Sequence, residues 1–383
     1  MLQVEYNGKT YDYVFDVDIE DGKPPLKLPY NLSQNPYEAA TKFIADNEIP
    51  MTYLDQVANF ITSNTQGATI GQSQDTASAP GSDPWGSDQR YRPGGDVAPP
   101  QRDPIPKILP SKEYQSILVA NFPGLEKKVR QLNEGLIKND HKDVSLNSTQ
   151  LAILASLCKH LAGSGATKTS QQVAGGLELV IKLSTEWPYG DRMPGLDLLR
   201  LLVVAPMTVA YSDPSGGNIV DTLIQGATET SPPAENHVMM AVRGFGNLFD
   251  TIEGRALAKS EFEKIQDLTS TSIKSSTNRN LLIAATTLYV NYAVLFNSDP
   301  ASASFEHILA ILDTLGRILE SQTDSEVVFR ALVATGTLLT HNGEIKSAAK
   351  DIYGIEKLVT AAQTKVKELR VKNLVAEIKA LLK

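Results

Sequence analysis

Three arginines sit inside otherwise apolar helical stretches at related spacings. LDLLRLLVVA carries Arg200, HVMMAVRGFGNLF carries Arg243 and VVFRALVATGTLL carries Arg330. Arg243 follows Arg200 by 43 residues, and Arg330 follows Arg243 by 87, about two such steps. A second track keeps the same period, with Asn247 four residues after Arg243 and Asn291 a further 44 residues on. A guanidinium is always charged and costly to bury unpaired, and its forked donors suit a carboxylate. An asparagine amide both donates and accepts, so it can bond the backbone of an extended peptide. Arg243 and Asn247 lie one turn apart and face the same way. Arg200, Arg243, Asn247, Asn291 and Arg330 together have the chemistry of a groove for an extended, acidic peptide. Local pairing is the competing explanation for two of them. Asp197 precedes Arg200 by three residues and Glu326 precedes Arg330 by four, both helical pairing distances. Arg243 has no acid within a turn upstream. The two asparagines could equally be structural hydrogen-bonders inside apolar helices.

A period of about 40–47 residues is that of armadillo and HEAT repeats. From about residue 109 to 383 almost every signal is helical, an α-solenoid of about six units closed by KLVTAAQTKVKELRVKNLVAEIKALLK as a cap. The position skipped between Arg243 and Arg330 falls near residue 286, inside NRNLLIAATTLYVNYAV. Stacked repeats bring equivalent positions into line along one face, which gives the shared spacing its meaning.

Residues 1–66 have a different texture. In YDYVFDVDIEDG, Tyr11, Tyr13, Phe15, Val17 and Ile19 alternate with Asp12, Asp16, Asp18 and Glu20, with Val14 the exception. The pattern predicts one half-buried strand, and LKLPY a second. Asn35, Pro36 and Glu38 then open a helix, and Thr52 with Asp55 a second one. Tyr37, Ala40 and Ile44 form the inner face of the first, and Leu54, Val57, Ala58 and Ile61 that of the second. Phe43 and Phe60 fall off these faces, which predicts an exposed apolar patch for a partner, unless so small a domain draws every aromatic into its core. Residues 67–104, rich in Gly, Ser, Pro, Asp and Gln, lack the apolar content to offset ordering and read as a flexible linker.

The 383 residues are 42% hydrophobic and 21% charged, the composition of a soluble globular protein, with a net charge of −8 that argues against broad nucleic-acid binding. No long apolar run suggests a membrane span, and MLQVEYNGK lacks the pattern of a secretory signal. A single cysteine, Cys158, fits the reducing cytoplasm or nucleus. No metal-ligand spacing, phosphate loop, dinucleotide fingerprint or nucleophile elbow is present, so neither catalysis nor a cofactor or metal is expected.

YDYVFDVDIEDGKPPLKLPYN with NPYEAATKFIADNEIPMTYLDQVANFI resembles the C-terminal portion of a PFU domain. LDLLRLL, HVMMAVRGFGNLF, NRNLLIAATTLYVNYAVLF and FRALVATGTLL resemble a PUL domain, and DPWGSDQRYRPG is similar to a short motif found between the two. The combination resembles the phospholipase-A-two-activating protein family, ubiquitin-homeostasis adaptors of a AAA+ segregase ATPase. The resemblance implies a mainly α, non-enzymatic adaptor: a partial α+β PFU domain at 1–66 and an armadillo-like PUL domain at 105–383. It implies ubiquitin binding through Phe43 and Phe60, and binding of the ATPase's acidic C-terminal tail at residues matching Arg200 and Arg330. Family members usually begin with a WD-repeat propeller, which this chain, starting inside the PFU pattern, is expected to lack. A general armadillo-type cargo scaffold and a membrane-associated enzyme regulator are the alternatives. A transport receptor would show a longer Trp/Asn ladder, and a membrane regulator a basic amphipathic face.

Overall fold

The computed structural model describes residues 4–6, 8–17, 26–31, 34–47, 54–65, 107–163, 171–300 and 303–383. The chain divides into two units, Met1–Lys107 and Ile108–Lys383.

In the first unit, β1 (Val4–Tyr6) pairs antiparallel with β2 (Lys9–Tyr11), and β3 (Tyr13–Val17) pairs antiparallel with β4 (Leu26–Tyr30). The single strand expected from Tyr11 onward is thus two strands. The break falls at Asp12, whose backbone N–H leaves the ladder and donates to Asn31 Oδ1 at 2.9 Å. Ile19 and the acids at 18 and 20 lie outside the described residues, as do Thr52 and the segment 67–104. Helix α1 (Pro36–Asp46) begins as predicted, with Asn35 accepting from the Tyr37 N–H at 2.9 Å and Pro36 in the first turn. Helix α2 (Leu54–Thr65) lies against it.

Leu28, Tyr30, Ala40, Phe43, Ile44, Val57, Ala58 and Ile61 form this unit's core. Phe43 is only 4% exposed, which corrects the expectation that it contributes to an exposed patch. Helix α1 packs on β4 as well as on α2, so its buried face is wider than one helical stripe and takes in Phe43. Phe60 is half-buried, its ring edge-on to Phe15 at 5.5 Å between centroids.

The second unit opens on an extended strap, residues 108–121, without helix or strand. The expectation of helix from about residue 109 is corrected here: Pro110 interrupts any helix, and Asn121 caps the first one. Helices α3 (Phe122–Lys138), α4 (Ser148–Ala162), α5 (Gln171–Thr185), α6 (Met193–Leu202), α7 (Pro206–Val209) and α8 (Ile219–Ala227) follow. Next come α9 (Glu235–Leu248), α10 (Ile252–Ser260), α11 (Phe262–Ile273), α12 (Arg279–Ser298) and α13 (Phe305–Ser321). The chain ends with α14 (Ser325–Leu339), α15 (Gly343–Asp351), α16 (Ile355–Lys365) and α17 (Leu369–Leu381).

Helices α6, α9, α12, α14 and α17 pack one on the next in a row, and α5, α8, α11, α13 and α16 back them in turn. This two-layer stack is the α-solenoid that the sequence period predicts, and side-chain bonds repeat the period. Asn218 reaches Glu261 (43 residues apart), Lys264 reaches Asp221 (43), Arg279 reaches Asp324 (45) and Gln266 reaches Thr314 (48). Helix α12 is apolar and long enough to resemble a membrane span. Its most apolar 18-residue stretch is 89% buried within the stack, because α9 and α14 cover both its flanks. Cys158 belongs to this core, and burial, with Glu126 adding, pushes its thiol up to about 11.

Candidate functional site: a laddered face holding an extended strap

The row α6–α9–α12–α14 presents the arginine and asparagine tracks on one face, and the strap runs across it. In an extended backbone the N–H and C=O of one residue point to the same side, so one amide side chain can bond both. Asn291 does this to Gln115: its Oδ1 accepts the Gln115 N–H at 2.7 Å and its Nδ2 donates to the Gln115 carbonyl at 2.7 Å. One helix earlier, Asn247 does the same to Ile117, at 2.6 and 3.0 Å. Both asparagines are fully buried, and each also ties its helix to the preceding one. Asn247 Nδ2 donates to the Arg200 carbonyl at 2.8 Å, and Asn291 Nδ2 to the Gly246 carbonyl at 3.0 Å.

The arginines divide into two kinds. Arg200, 2% exposed, has every guanidinium nitrogen engaged. Its Nε pairs with Asp197 at 2.6 Å, one terminal nitrogen donates to the Ile117 carbonyl, and the other donates to the Val119 carbonyl at 2.9 Å. Arg330, 5% exposed, pairs with Glu326 at 2.7 Å and donates to Gln115 Oε1 at 3.0 Å and to Thr287 Oγ1 at 2.5 Å. Glu326 bridges onward to Arg370 at 2.8 Å. Burial works to raise the Glu326 carboxyl, but the Arg330 and Arg370 guanidiniums outweigh it and hold the group at about 2.

Arg243 is different. It stands one turn before Asn247 on α9, between the helices that carry Arg200 and Thr287, yet among the described residues it makes no hydrogen bond or ion pair. Burial and the Arg200 guanidinium both disfavour its charge, Asp197 partly opposes them, and its pKa falls to about 10.

The sequence tracks therefore converge on one face, as the spacing required. Four of the five residues, Arg200, Asn247, Asn291 and Arg330, hold the chain's own strap. Both local ion pairs anticipated in the sequence also form. Thr287 occupies the skipped repeat position expected near residue 286, and its hydroxyl accepts from Arg330. The strap itself was missed too, although Pro110 and the run SILVAN in a supposed helical zone were signals. The strap is fastened further by Glu377 of α17, which accepts from the Ile108 and Leu109 N–H groups, and by Thr337 Oγ1, which accepts from Ser111 N–H at 3.0 Å. Tyr114 packs under the Arg255 guanidinium, 4.7 Å from ring to cation. Gly336 leaves room for Leu109, since a Cβ there would lie 2.3 Å from Leu109 Cδ1.

The PUL domain family matches residues 109–377, and the family described as PFU (PLAA family ubiquitin binding) matches residues 2–69. The chain is 30% identical over 360 residues to Protein DOA1 of Saccharomyces cerevisiae, which covers 91% of this chain and 44% of that protein. It is 30% identical to the ubiquitin homeostasis protein lub1 of Schizosaccharomyces pombe, over 92% of this chain and 44% of the other. For the phospholipase A-2-activating protein of Xenopus laevis the identity is 28%, over 91% and 47%. The chain thus spans less than half the length of these relatives. A crystal structure of PUL and PFU domains superposes with a TM-score of 0.50 at 24% identity, covering 98% of this chain and 99% of that one, a likeness of fold.

Proposed function

We propose, from the premise that the chain belongs to the PFU- and PUL-domain family of phospholipase A-2-activating proteins, that it is a non-catalytic adaptor joining ubiquitin to a AAA+ segregase ATPase. The observation that carries the ubiquitin half is the ubiquitin-binding PFU match over residues 2–69 on the same chain as the PUL match. Relatives named for ubiquitin homeostasis, and for ubiquitin fusion degradation, support it. Phe60, at the edge of the small core, is the aromatic placed to contact ubiquitin, whereas Phe43 serves by holding α1 in place.

The ATPase half places an acidic C-terminal tail against the solenoid face that carries Arg200, Arg243, Asn247, Asn291 and Arg330. The strap takes the asparagine amides of that face, and Arg243, which makes no hydrogen bond or ion pair among the described residues, is the guanidinium there to meet an acidic segment. The adaptor would act in the cytoplasm and nucleus. The test is a titration of the intact chain with ubiquitin and, separately, with a synthetic peptide of the ATPase tail. Saturable binding of both is expected. No binding of ubiquitin would remove the first half, and no binding of the tail the second.

A further inference from the structure

The last two helices turn their acids inward and their lysines outward. Residues 355–383 hold seven Lys and Arg against three Glu, a surplus of four positive charges in a chain whose net charge is −8. On α17 the buried side is Val371, Leu374, Val375 and Ile378, pressed on α14 and α16. At about 100° per residue the opposite side runs through Leu369, Asn373, Ala376 and Ala380, with Lys372, Lys379 and Lys383 in a row along one flank. Leu369 is 50% exposed, and Lys372, Ala376, Ala380 and Lys383 are exposed as well. Among the described residues no helix covers that side.

The other charged groups of α17 and its N-cap are already engaged. Glu368 pairs with Arg370 at 2.7 Å, and Glu377 accepts the Ile108 and Leu109 N–H groups of the strap at 3.1 and 3.0 Å. Arg370 turns inward to Glu326 at 2.8 Å and lies 4.6 Å from the Phe329 ring centre. Lys365, at the end of α16, donates to the Leu319 carbonyl of α13. Lys372, Lys379 and Lys383 have no ion pair among the described residues. Glu377 stands about a quarter-turn from the Leu369–Ala380 stripe, so this side of α17 is not the face that holds the strap.

Three chemistries could meet a row of lysines. A bilayer needs a broad apolar face beside the charge, and Leu369 is the one large apolar side chain exposed on α17. A nucleic acid would be repelled by a chain whose net charge is −8. A helix fits better. Ala376 and Ala380 lie one turn apart and let a second helix come close, and every step of the row α6–α9–α12–α14–α17 is helix laid on helix. With lysines along one edge, such a helix must bring carboxylates to that edge.

We propose that the side of α17 turned away from α14 is a docking surface for an acidic amphipathic helix of a partner protein, which would extend the row by one helix. Lys372, Lys379 and Lys383 pair with its carboxylates, and Leu369, Ala376 and Ala380 take its apolar stripe. This surface is separate from the one read above as the ATPase site, and stands or falls without it.

The probe is a labelled synthetic helix about 20 residues long, enough to hold its own structure, with an alanine and leucine stripe flanked by glutamates. A version with lysines for the glutamates, a flexible glutamate–glycine peptide of equal charge, and phosphatidylserine vesicles are the other ligands. The intact chain should bind the glutamate helix saturably, less tightly as salt rises, with shifts of the Ala376 and Ala380 methyl signals. The lysine version should not bind. Lys372→Glu with Lys379→Glu should weaken binding about tenfold at an unchanged melting midpoint, since neither lysine holds an internal pair. Ala376→Arg separates packing from charge: it adds a positive charge but fills the close approach. Affinity for the helix should fall in that variant, while the flexible peptide binds as well or better. No saturable binding of the glutamate helix by wild type would overturn the proposal, as would binding that leaves the Ala376 and Ala380 methyls unmoved. Tighter helix binding in Ala376→Arg would reduce the surface to diffuse charge and overturn it too. Vesicles bound through Lys372 and Lys379, with the helix unbound, would assign the lysines to a lipid surface instead.

Discussion

Asn291 on α12 bonds both backbone groups of Gln115, a residue 176 positions earlier, at 2.7 Å each. The same device joins Asn133 to Leu146, with the Leu146 N–H donating to Oδ1 at 2.6 Å and Nδ2 donating to the Leu146 carbonyl at 2.9 Å. A buried asparagine in this solenoid is therefore a clamp for a non-helical segment. Asn291→Ala would strand one N–H and one C=O of the strap and remove the second donor to the Gly246 carbonyl of α9, at about 1–3 kcal/mol for each buried unsatisfied group. Native-state hydrogen exchange should show the Gln115 amide losing protection before any amide of α12 does, and a double variant with Asn247→Ala should free the strap while the helical circular dichroism persists. Strap amides as protected as in wild type would mean that the clamps are dispensable.

The Glu326 carboxylate links α14 to α17 through Arg330 and Arg370. Its pKa is held at about 2, below its ordinary value, so its contribution to stability is present at neutral pH and is lost as pH falls from about 5 through 2. Glu326→Gln should cost about 3 kcal/mol at pH 7, the scale of breaking a buried ion pair. That gap should close on acidification, because the wild-type carboxylate is then protonated too. Urea denaturation at a series of pH values reads the gap directly, and a gap constant from pH 7 to pH 2 would assign Glu326 a role independent of its charge.

How much of this was legible in the sequence depends on whether a signal was periodic. The arginine and asparagine tracks were readable because each repeat contributes one helix to the row, so a spacing of 43 or 44 residues becomes adjacency. Arg330 could be placed on the face, but not its occupant, since a strap 215 residues away leaves no mark on local spacing. Thr287 was invisible because its hydroxyl is chosen by the reach of Arg330 rather than by a pattern of its own. In the small unit, helical-wheel reasoning placed Ile44 and Ile61 correctly and misplaced Phe43. A helix covered by both a strand and a second helix buries more than one stripe.

Gly195 on α6 sits against the backbone of α5. A Cβ there would lie 2.6 Å from the Leu183 carbonyl carbon and 2.7 Å from the Ser184 nitrogen, and backbone cannot swing aside as a side chain can. A Cβ on Gly226 of α8 would likewise lie 2.7 Å from the Ser184 carbonyl oxygen. Gly195→Ala should therefore push α6 off α5 and destabilise by about 1–3 kcal/mol, more than the few tenths that glycine's backbone entropy would return. A shift of the urea midpoint to lower concentration with an unchanged slope is expected. A midpoint at or above that of wild type would show that the helices can part without cost.

Phe43 and Phe60 should separate stability from recognition. Phe43 belongs to the same core as Leu28, Tyr30 and Ile61, so Phe43→Ala removes a large part of a small core at about 3–5 kcal/mol, comparable to all the stability that so small a unit can have. Ubiquitin binding lost in that variant would report unfolding. Phe60 is half-buried and meets Phe15 edge-on, a contact worth about 1 kcal/mol. Phe60→Ala should therefore leave the methyl spectrum of the small core near that of wild type while weakening ubiquitin binding at least several-fold. The paired measurement, methyl NMR of the core beside a ubiquitin titration, decides the assignment. A Phe60 variant that binds like wild type on an intact core would move the ubiquitin contact to another surface of the unit, and a Phe43 variant with a native core would show that α1 does not depend on it.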